Sequence, residues 1–237
     1  PVSRRTRQIG SQSDRRESGH RTAKFCTQRC LLGLRQGGML DSHCPNVELH
    51  RQGRENDRHP INTESLVQLL EQQLGVNVDD DCTPFGVCGL YGAPFKVTCV
   101  PGHTVVGKGT MSGLWNEVSR EADVYRVLQR AQGSAVPVFL GTIDLKKIYF
   151  LHGTGQIRHM LLLAYGGQDT SELERSQALV NEIRRSIKEI RALGVEHGDI
   201  RYENALWNEE LGRVLIIDFH RSRLNPQLME KRKPGKR

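Results

Sequence analysis

The sequence predicts an α+β fold in two lobes. Three observations carry that expectation. Strand-length apolar runs punctuated by glycine fill most of residues 85–164, interrupted by one helical stretch. A longer helix with a continuous apolar stripe follows, from about Ser171 to Leu193. That helix leads into a polar loop, "HGDIRYEN", and then two short apolar strands around "ALW" and "RVLIID".

Taken in order, residues 1–24 are polar, basic and without period, and are expected to be disordered. The stretch "FCTQRCLLGLRQGGMLDSHCPNVELH" brings Cys26, Cys30, Cys44 and His50, a three-Cys, one-His set able to close a tetrahedral zinc site. The spacing is loose, and buried free cysteines beside "LLGL" are the alternative. "TESLVQLLEQQL" predicts a helix with Thr63 as N-cap and Leu66, Leu69, Leu70 and Leu74 on one face. Strands are expected in "FGVCGLYGAPFKVTCV" and "HTVVGKGT", and a helix in "WNEVSREADVYRVLQRAQG", ending near Gly133. "VPVFLGTIDLKKIYFL" and "RHMLLLAY" read as further strands. The long helix has Leu179, Ile183, Ile187 and Ile190 as its stripe and Gly194 as its stop.

At 237 residues the chain is long enough for a substantial core, although aromatic residues make up only 5% and the mean hydropathy is −0.52. Charge sits at the ends. Residues 1–24 carry a net +5 and residues 221–237 a net +6, in a chain of +7, so the middle is −4. Such tails suit nucleic acid or an acidic membrane surface, but no aromatic residue interrupts the basic runs to offer a stacking platform. Solvated ends are therefore the expectation. The longest apolar runs, "MLLLAY" and "VLIIDF", are strand-length, so no membrane span is expected. Without an apolar signal core, the six cysteines point to a reducing, intracellular setting, cytoplasmic or nuclear, and not to secretion.

The chemistry concentrates around the octet. Phosphoryl transfer needs magnesium on phosphate oxygens, a cation on the nucleotide, and a carboxylate facing the acceptor. Asn204 and Asp218 flank a hairpin that would bring two hard oxygen ligands together, leaving Asp199 to face an acceptor hydroxyl. Upstream, Lys108 ends the apolar run "TVVGK". Glu121 falls on the inward stripe of its helix with Val118, Tyr125 and Leu128, where a carboxylate requires a buried partner, and Lys108 is the natural one.

Lys108, Glu121, "HGDIRYEN" and "IIDF" together resemble the protein-kinase fold. "CTQRCLLGL", "CPNVELHR", "VVGKGT" and "HGDIRYENALWN…IIDFHRS" resemble, more narrowly, a group of fungal protein-kinase-like proteins, over about residues 25 to 224. The resemblance implies a bilobal kinase-like α+β fold with an antiparallel-sheet N-lobe over 61–159 and a truncated helical C-lobe over 160–224. A Cys-containing extension at 25–60 and a basic tail at 225–237 complete the division. It implies ATP and Mg2+ as cofactors, Asp199 as catalytic base, Arg201 on the transferred phosphate, and Asn204 and Asp218 on magnesium. Lys108 would hold the α/β-phosphates and Glu121. Gly86, Gly89 and Gly92 would cover the nucleotide, and Ala164, Tyr165 and Gly166 would receive adenine.

The chain departs from that pattern at four points. "GVCGLYG" stands for G-x-G-x-x-G, His220 for the glycine of the metal-binding turn, and Gly198 for the arginine before the base. Only seventeen residues follow His220, too few for an activation segment and the later helices that bind peptide. The expected function is thus an ATP- and magnesium-dependent phosphotransferase acting on an unknown protein or small-molecule acceptor. A pseudokinase scaffold working through partners is the alternative. A tail-driven nucleic-acid or zinc-binding module ranks third.

Overall fold

The structure, a computed structural model, describes residues 23–51, 56–100, 102–151 and 155–225. The basic tails expected at 1–24 and 225–237 lie outside the described residues, except for Ala23, Lys24 and Asn225.

The first lobe is built on strands β1 (Cys82–Pro84), β2 (Ala93–Cys99), β3 (His103–Met111), β4 (Phe139–Leu151) and β5 (Gly155–Leu163). They pair antiparallel in the order β1-β2-β3-β5-β4, which puts β3 at the centre. Alternation along a strand divides its side chains between two faces. Phe95, Val97, Val105, Met160 and Leu162 enter one core, whereas Val106, Leu161 and Leu163 enter the other.

The first core is closed by α1 (Gln28–Gln36) and α3 (Thr63–Val76), with the short helices α2 (Val47–Arg51) and α4 (Val78–Asp81) at its edges. The expected stripe on α3 is the buried one: Leu66, Leu70 and Leu74 are inaccessible, and Leu69 is half-buried. Each fully buried leucine stabilises the lobe by roughly 2 kcal/mol. The cap differs from expectation. Asn62, extended at φ −102°, accepts the Ser65 N–H at 2.8 Å, so Thr63 is already helical. Asparagine is the stronger N-cap of the two and wins the position. From the Cys-containing extension, Cys26, Cys30, Leu31 and Leu34 enter this same core.

The second core lies between α5 (Trp115–Val127), α6 (Gln177–Ala192) and a small sheet of β6 (Gln168–Asp169), β8 (Ala205–Asn208) and β9 (Arg213–Ile216). β7 (Val195–Glu196) pairs with β10 (Arg223–Leu224) beneath it. The α6 helix starts six residues later than the expected Ser171. Asp169 caps a separate 3-10 turn over Thr170–Glu172, and Ser176 then caps α6 by accepting the Leu179 N–H. Two capping side chains in close succession split what the apolar period alone reads as one helix. Likewise α5 stops at Val127, and a 3-10 turn over Gln129–Ala131 carries the chain towards Gly133. The architecture is α+β in two lobes with an antiparallel N-terminal sheet. Among the described residues the second lobe holds one long α-helix, and its remainder is short strands and turns.

Candidate functional site

Lys108 sits three residues before the end of β3, opposite Leu161, on the face that Val106 shares. The strand runs one residue past "HTVVGKGT" because Met111 continues its pairing with β5. From there Lys108 Nζ donates to Glu121 Oε2 at 2.5 Å and to Asp218 Oδ1 at 2.6 Å. Glu121 lies between Val118 and Tyr125 on α5, and all three are fully buried. Burial opposes the charge on Lys108, but the two carboxylates outweigh it and hold the amine's pKa above its ordinary value.

Asp218 follows β9 at φ 70°, the single non-glycine residue with positive φ among the described residues. A left-handed aspartate is costly and is retained where its surroundings over-determine it. Lys108 and His220 Nδ1 both approach its Oδ1, the latter at 2.9 Å, which leaves Oδ2 for another partner. Burial pushes this carboxyl up, yet Lys108, and then His220, pull it below the usual aspartate value. The depressed pKa means that the unfolded state binds a proton more readily. Asp218 therefore adds stability above about pH 3.9, which is lost as the pH falls below that value towards the folded pKa. In acid titrations of thermal stability, Asp218→Asn is expected to flatten that limb; an unchanged limb would count against the pairing.

The hairpin of β8 and β9 brings the loop to Asp218. Ala205 pairs with Ile216, and the Ile217 N–H donates to the Asn204 carbonyl at 3.0 Å. Asn204, almost fully buried, donates its Nδ2 to the Asp199 carbonyl at 2.9 Å, so its Oδ1 is the atom left over. His197 ties the two sides together. Its Nε2 donates to the Ile217 carbonyl at 2.7 Å, and its Nδ1 accepts the Asp199 N–H at 3.3 Å. Burial lowers the His197 pKa, which favours the neutral ring that this pattern requires. Phe219 packs edge-on against both His197 and Tyr125.

Asp199 itself is 14% exposed, and its Oδ2 faces Arg201 at 3.2 Å and Arg221 at 3.6 Å. Neither contact is an aligned hydrogen bond, so the two half-exposed guanidiniums act through charge. Gly198 has a local cause. At φ 80° a Cβ there would stand 2.5 Å from the Arg221 carbonyl oxygen, so no arginine fits that position.

Gly86, Gly89 and Gly92 lie in the turn that joins β1 to β2, over the end of the sheet. Gly89 N–H donates to the Gly92 carbonyl at 2.9 Å, and Gly92 runs so close to β3 that a Cβ would meet the Gly109 carbonyl at 2.4 Å. The same turn holds Tyr91, whose ring centroid is 4.1 Å from that of His220. Ala164, Tyr165 and Gly166 connect the lobes after β5. Ala164 N–H donates to the Val138 carbonyl, the Tyr165 carbonyl accepts Gln28 Nε2 at 2.8 Å, and the Gly166 carbonyl accepts Asn208 Nδ2 at 3.2 Å.

The fourth predicted group also converges. Cys26, Cys30, Cys44 and His50 are all buried, with donor atoms within 4.8 Å of one another. His50 Nε2 is 3.5 Å from Cys26 Sγ and 3.4 Å from Cys44 Sγ. Hydrogen bonding to Cys26 and Cys44, with burial, pushes the Cys30 thiol up, while hydrogen bonds from Cys26 and Cys30 draw Cys44 down.

Sequence reasoning missed Gln28, Tyr91 and Arg221, and gave no role to His197. His197 stands inside the octet, where a histidine two residues before the loop aspartate is a usable signal. The other three act through contacts that no local period encodes: Gln28 with Tyr165 over 137 residues, Tyr91 with the His220 ring, and Arg221 with Asp199.

A family model described as the lipopolysaccharide kinase (Kdo/WaaP) family matches residues 145–234. The chain is 40% identical over 210 residues to the meiotic driver SPOK2 of Podospora anserina, a match covering 86% of this chain and 27% of that relative. The chain thus spans about a quarter of the relative's length. A crystal structure of an Stt7 homologue from Micromonas algae, soaked with ATP, superposes with a TM-score of 0.49 at 18% identity, over 61% of this chain and 50% of that one. The family-model match supports a kinase-like relationship in general over residues 145–234. No helix among the described residues is long and apolar enough to cross a membrane.

Proposed function

We propose that the chain is an ATP- and magnesium-dependent phosphotransferase of protein-kinase-like type, acting on a protein or small-molecule acceptor. The carrying observation is Lys108, whose amine bridges Glu121 on α5 and Asp218 behind β9. A lysine so placed is held charged and oriented where the α- and β-phosphates of a nucleotide would lie.

The residues present fit magnesium. Asn204 spends its amide nitrogen on the Asp199 carbonyl and Asp218 spends Oδ1 on Lys108 and His220, so Asn204 Oδ1 and Asp218 Oδ2 remain as hard oxygen donors on one hairpin. Bound there, the ion would neutralise charge on the phosphate oxygens. Asp199, held by His197 and flanked by Arg201 and Arg221, would orient and accept the proton of an acceptor hydroxyl. Arg201 would meet the transferred phosphate. Gly86, Gly89 and Gly92 would cover the phosphates, and Ala164 to Gly166 would receive the base. In a longer protein of the kind to which SPOK2 belongs, the chain would be a kinase-like module.

A specific contact favours the second reading, a scaffold with weak or no catalysis. Tyr91 rests on His220, and His220 already occupies one oxygen of Asp218. Thermal unfolding with ATP, with and without magnesium, separates the two. At a hundred times its dissociation constant a ligand stabilises the native state by about 2.7 kcal/mol. A magnesium-dependent rise in Tm is expected, whereas a cooperative transition that ignores nucleotide favours the scaffold.

A further inference from the structure

We propose that Cys26, Cys30, Cys44 and His50 hold one zinc ion, and that this ion braces the connection between the lobes through Phe25 and Gln28. The donor geometry carries the first half. With Zn–S near 2.3 Å and Zn–N near 2.0 Å, a regular tetrahedron has S···S edges of about 3.8 Å and S···N edges of about 3.5 Å. Two S···N edges here are 3.5 and 3.4 Å. Soft sulfur with one imidazole in a tetrahedral array is the donor set of a closed zinc site.

The surroundings agree. Cys26 Sγ receives the Thr104 N–H at 3.3 Å and Asn46 Nδ2 at 3.5 Å, the N–H support that steadies a metal-bound thiolate. The His50 ring stacks on His103 at 4.0 Å, which orients it. Thr27 Oγ1 accepts the Cys30 N–H at 3.1 Å, so the α1 cap lies between the first two ligands and sets their spacing.

The second half rests on what stands between those ligands. Gln28, 1% exposed, accepts the Val138 N–H on Oε1 at 3.0 Å and donates Nε2 to the Tyr165 carbonyl at 2.8 Å. Phe25 stacks on Tyr165, with centroids 4.5 Å apart and planes 5° from parallel. The Cys26 N–H donates to the Thr104 carbonyl in β3, the strand that carries Lys108. Residues 25–28 thus join a metal ligand to the inter-lobe connection on one side and to β3 on the other.

The test is independent of the phosphotransferase reading, because it measures metal and amide exchange and not turnover. Purified protein grown with zinc is expected to carry one equivalent, and cobalt in its place to show thiolate-to-metal charge-transfer absorption. Removing the ion is expected to speed hydrogen exchange at residues 164–166, with zinc restoring protection. Cys44→Ser should lose the ion; if that variant fails to fold, the cobalt spectrum of the unaltered chain decides. Gln28→Ala should keep the zinc and still speed exchange at 164–166, which separates the brace from general unfolding. Protein that holds well under one equivalent and takes up no cobalt overturns the metal site. Unchanged exchange in Gln28→Ala overturns the brace.

Discussion

Asp199→Asn is expected to slow phosphoryl transfer from ATP by about 10²- to 10⁴-fold, the usual contribution of a positioned acid–base group. The substitution keeps shape and removes charge. His197 still accepts the residue 199 N–H, and Asn204 still donates to its carbonyl, since both contacts are to backbone. Folding and nucleotide-induced stabilisation should therefore persist while transfer falls. The new amide also relieves Arg201 and Arg221 of their shared counter-charge, which gives the control. Neutralising Arg221 alone in the unaltered background should leave nucleotide binding in place. Autophosphorylation or phosphate release at the parental rate in Asp199→Asn would remove Asp199 from the reaction.

Lys108→Ala is expected to have the largest effect on stability. Glu121 has no accessible surface, and its Oε1 has no hydrogen-bond partner among the described residues, so Lys108 is the group that answers its charge. Breaking such a pair from one side costs about 3–5 kcal/mol, because an uncompensated carboxylate stays behind. Chemical denaturation should register a loss of that order, along with loss of nucleotide binding. The double variant Lys108→Ala/Glu121→Leu should recover much of the stability and none of the binding. Equal losses in the single and double variants would place the destabilisation elsewhere.

The sequence was most legible where function compresses chemistry into short runs. Glu121 stood out as a carboxylate on an apolar helix face, where burial forces a partner on it, Lys108 and Asp218 as charges that end apolar strands, and Asn204 as a member of the polar octet. The stripes of α3 and α6 were readable for the related reason that a helix repeats its buried face every three or four residues. Element ends were less legible, since they depend on competition between neighbouring caps, as at Asn62 and Thr63 or at Asp169 and Ser176. The role of Gln28 was hidden altogether. A glutamine among cysteines has no periodic signature, and its partners at Val138 and Tyr165 are 110 and 137 residues away. The cysteine set was visible as a composition but not as a geometry, because its four members come from two loops and two helices.

The N-terminus of α1 is capped from far along the chain: Glu210 accepts the Gln28 N–H at 2.6 Å and the Arg29 N–H at 3.0 Å, over 182 and 181 residues. This has a kinetic consequence. Loop closure over such a span is slow to be repaid, and contacts of high sequence separation form late. On the ribosome, residues 28 and 29 are made long before Glu210, so these two N–H groups rest on water until nearly all of the second lobe has emerged. The α1 helix can enter the first core without Glu210, but stalling or cleavage before Glu210 leaves it without this cap.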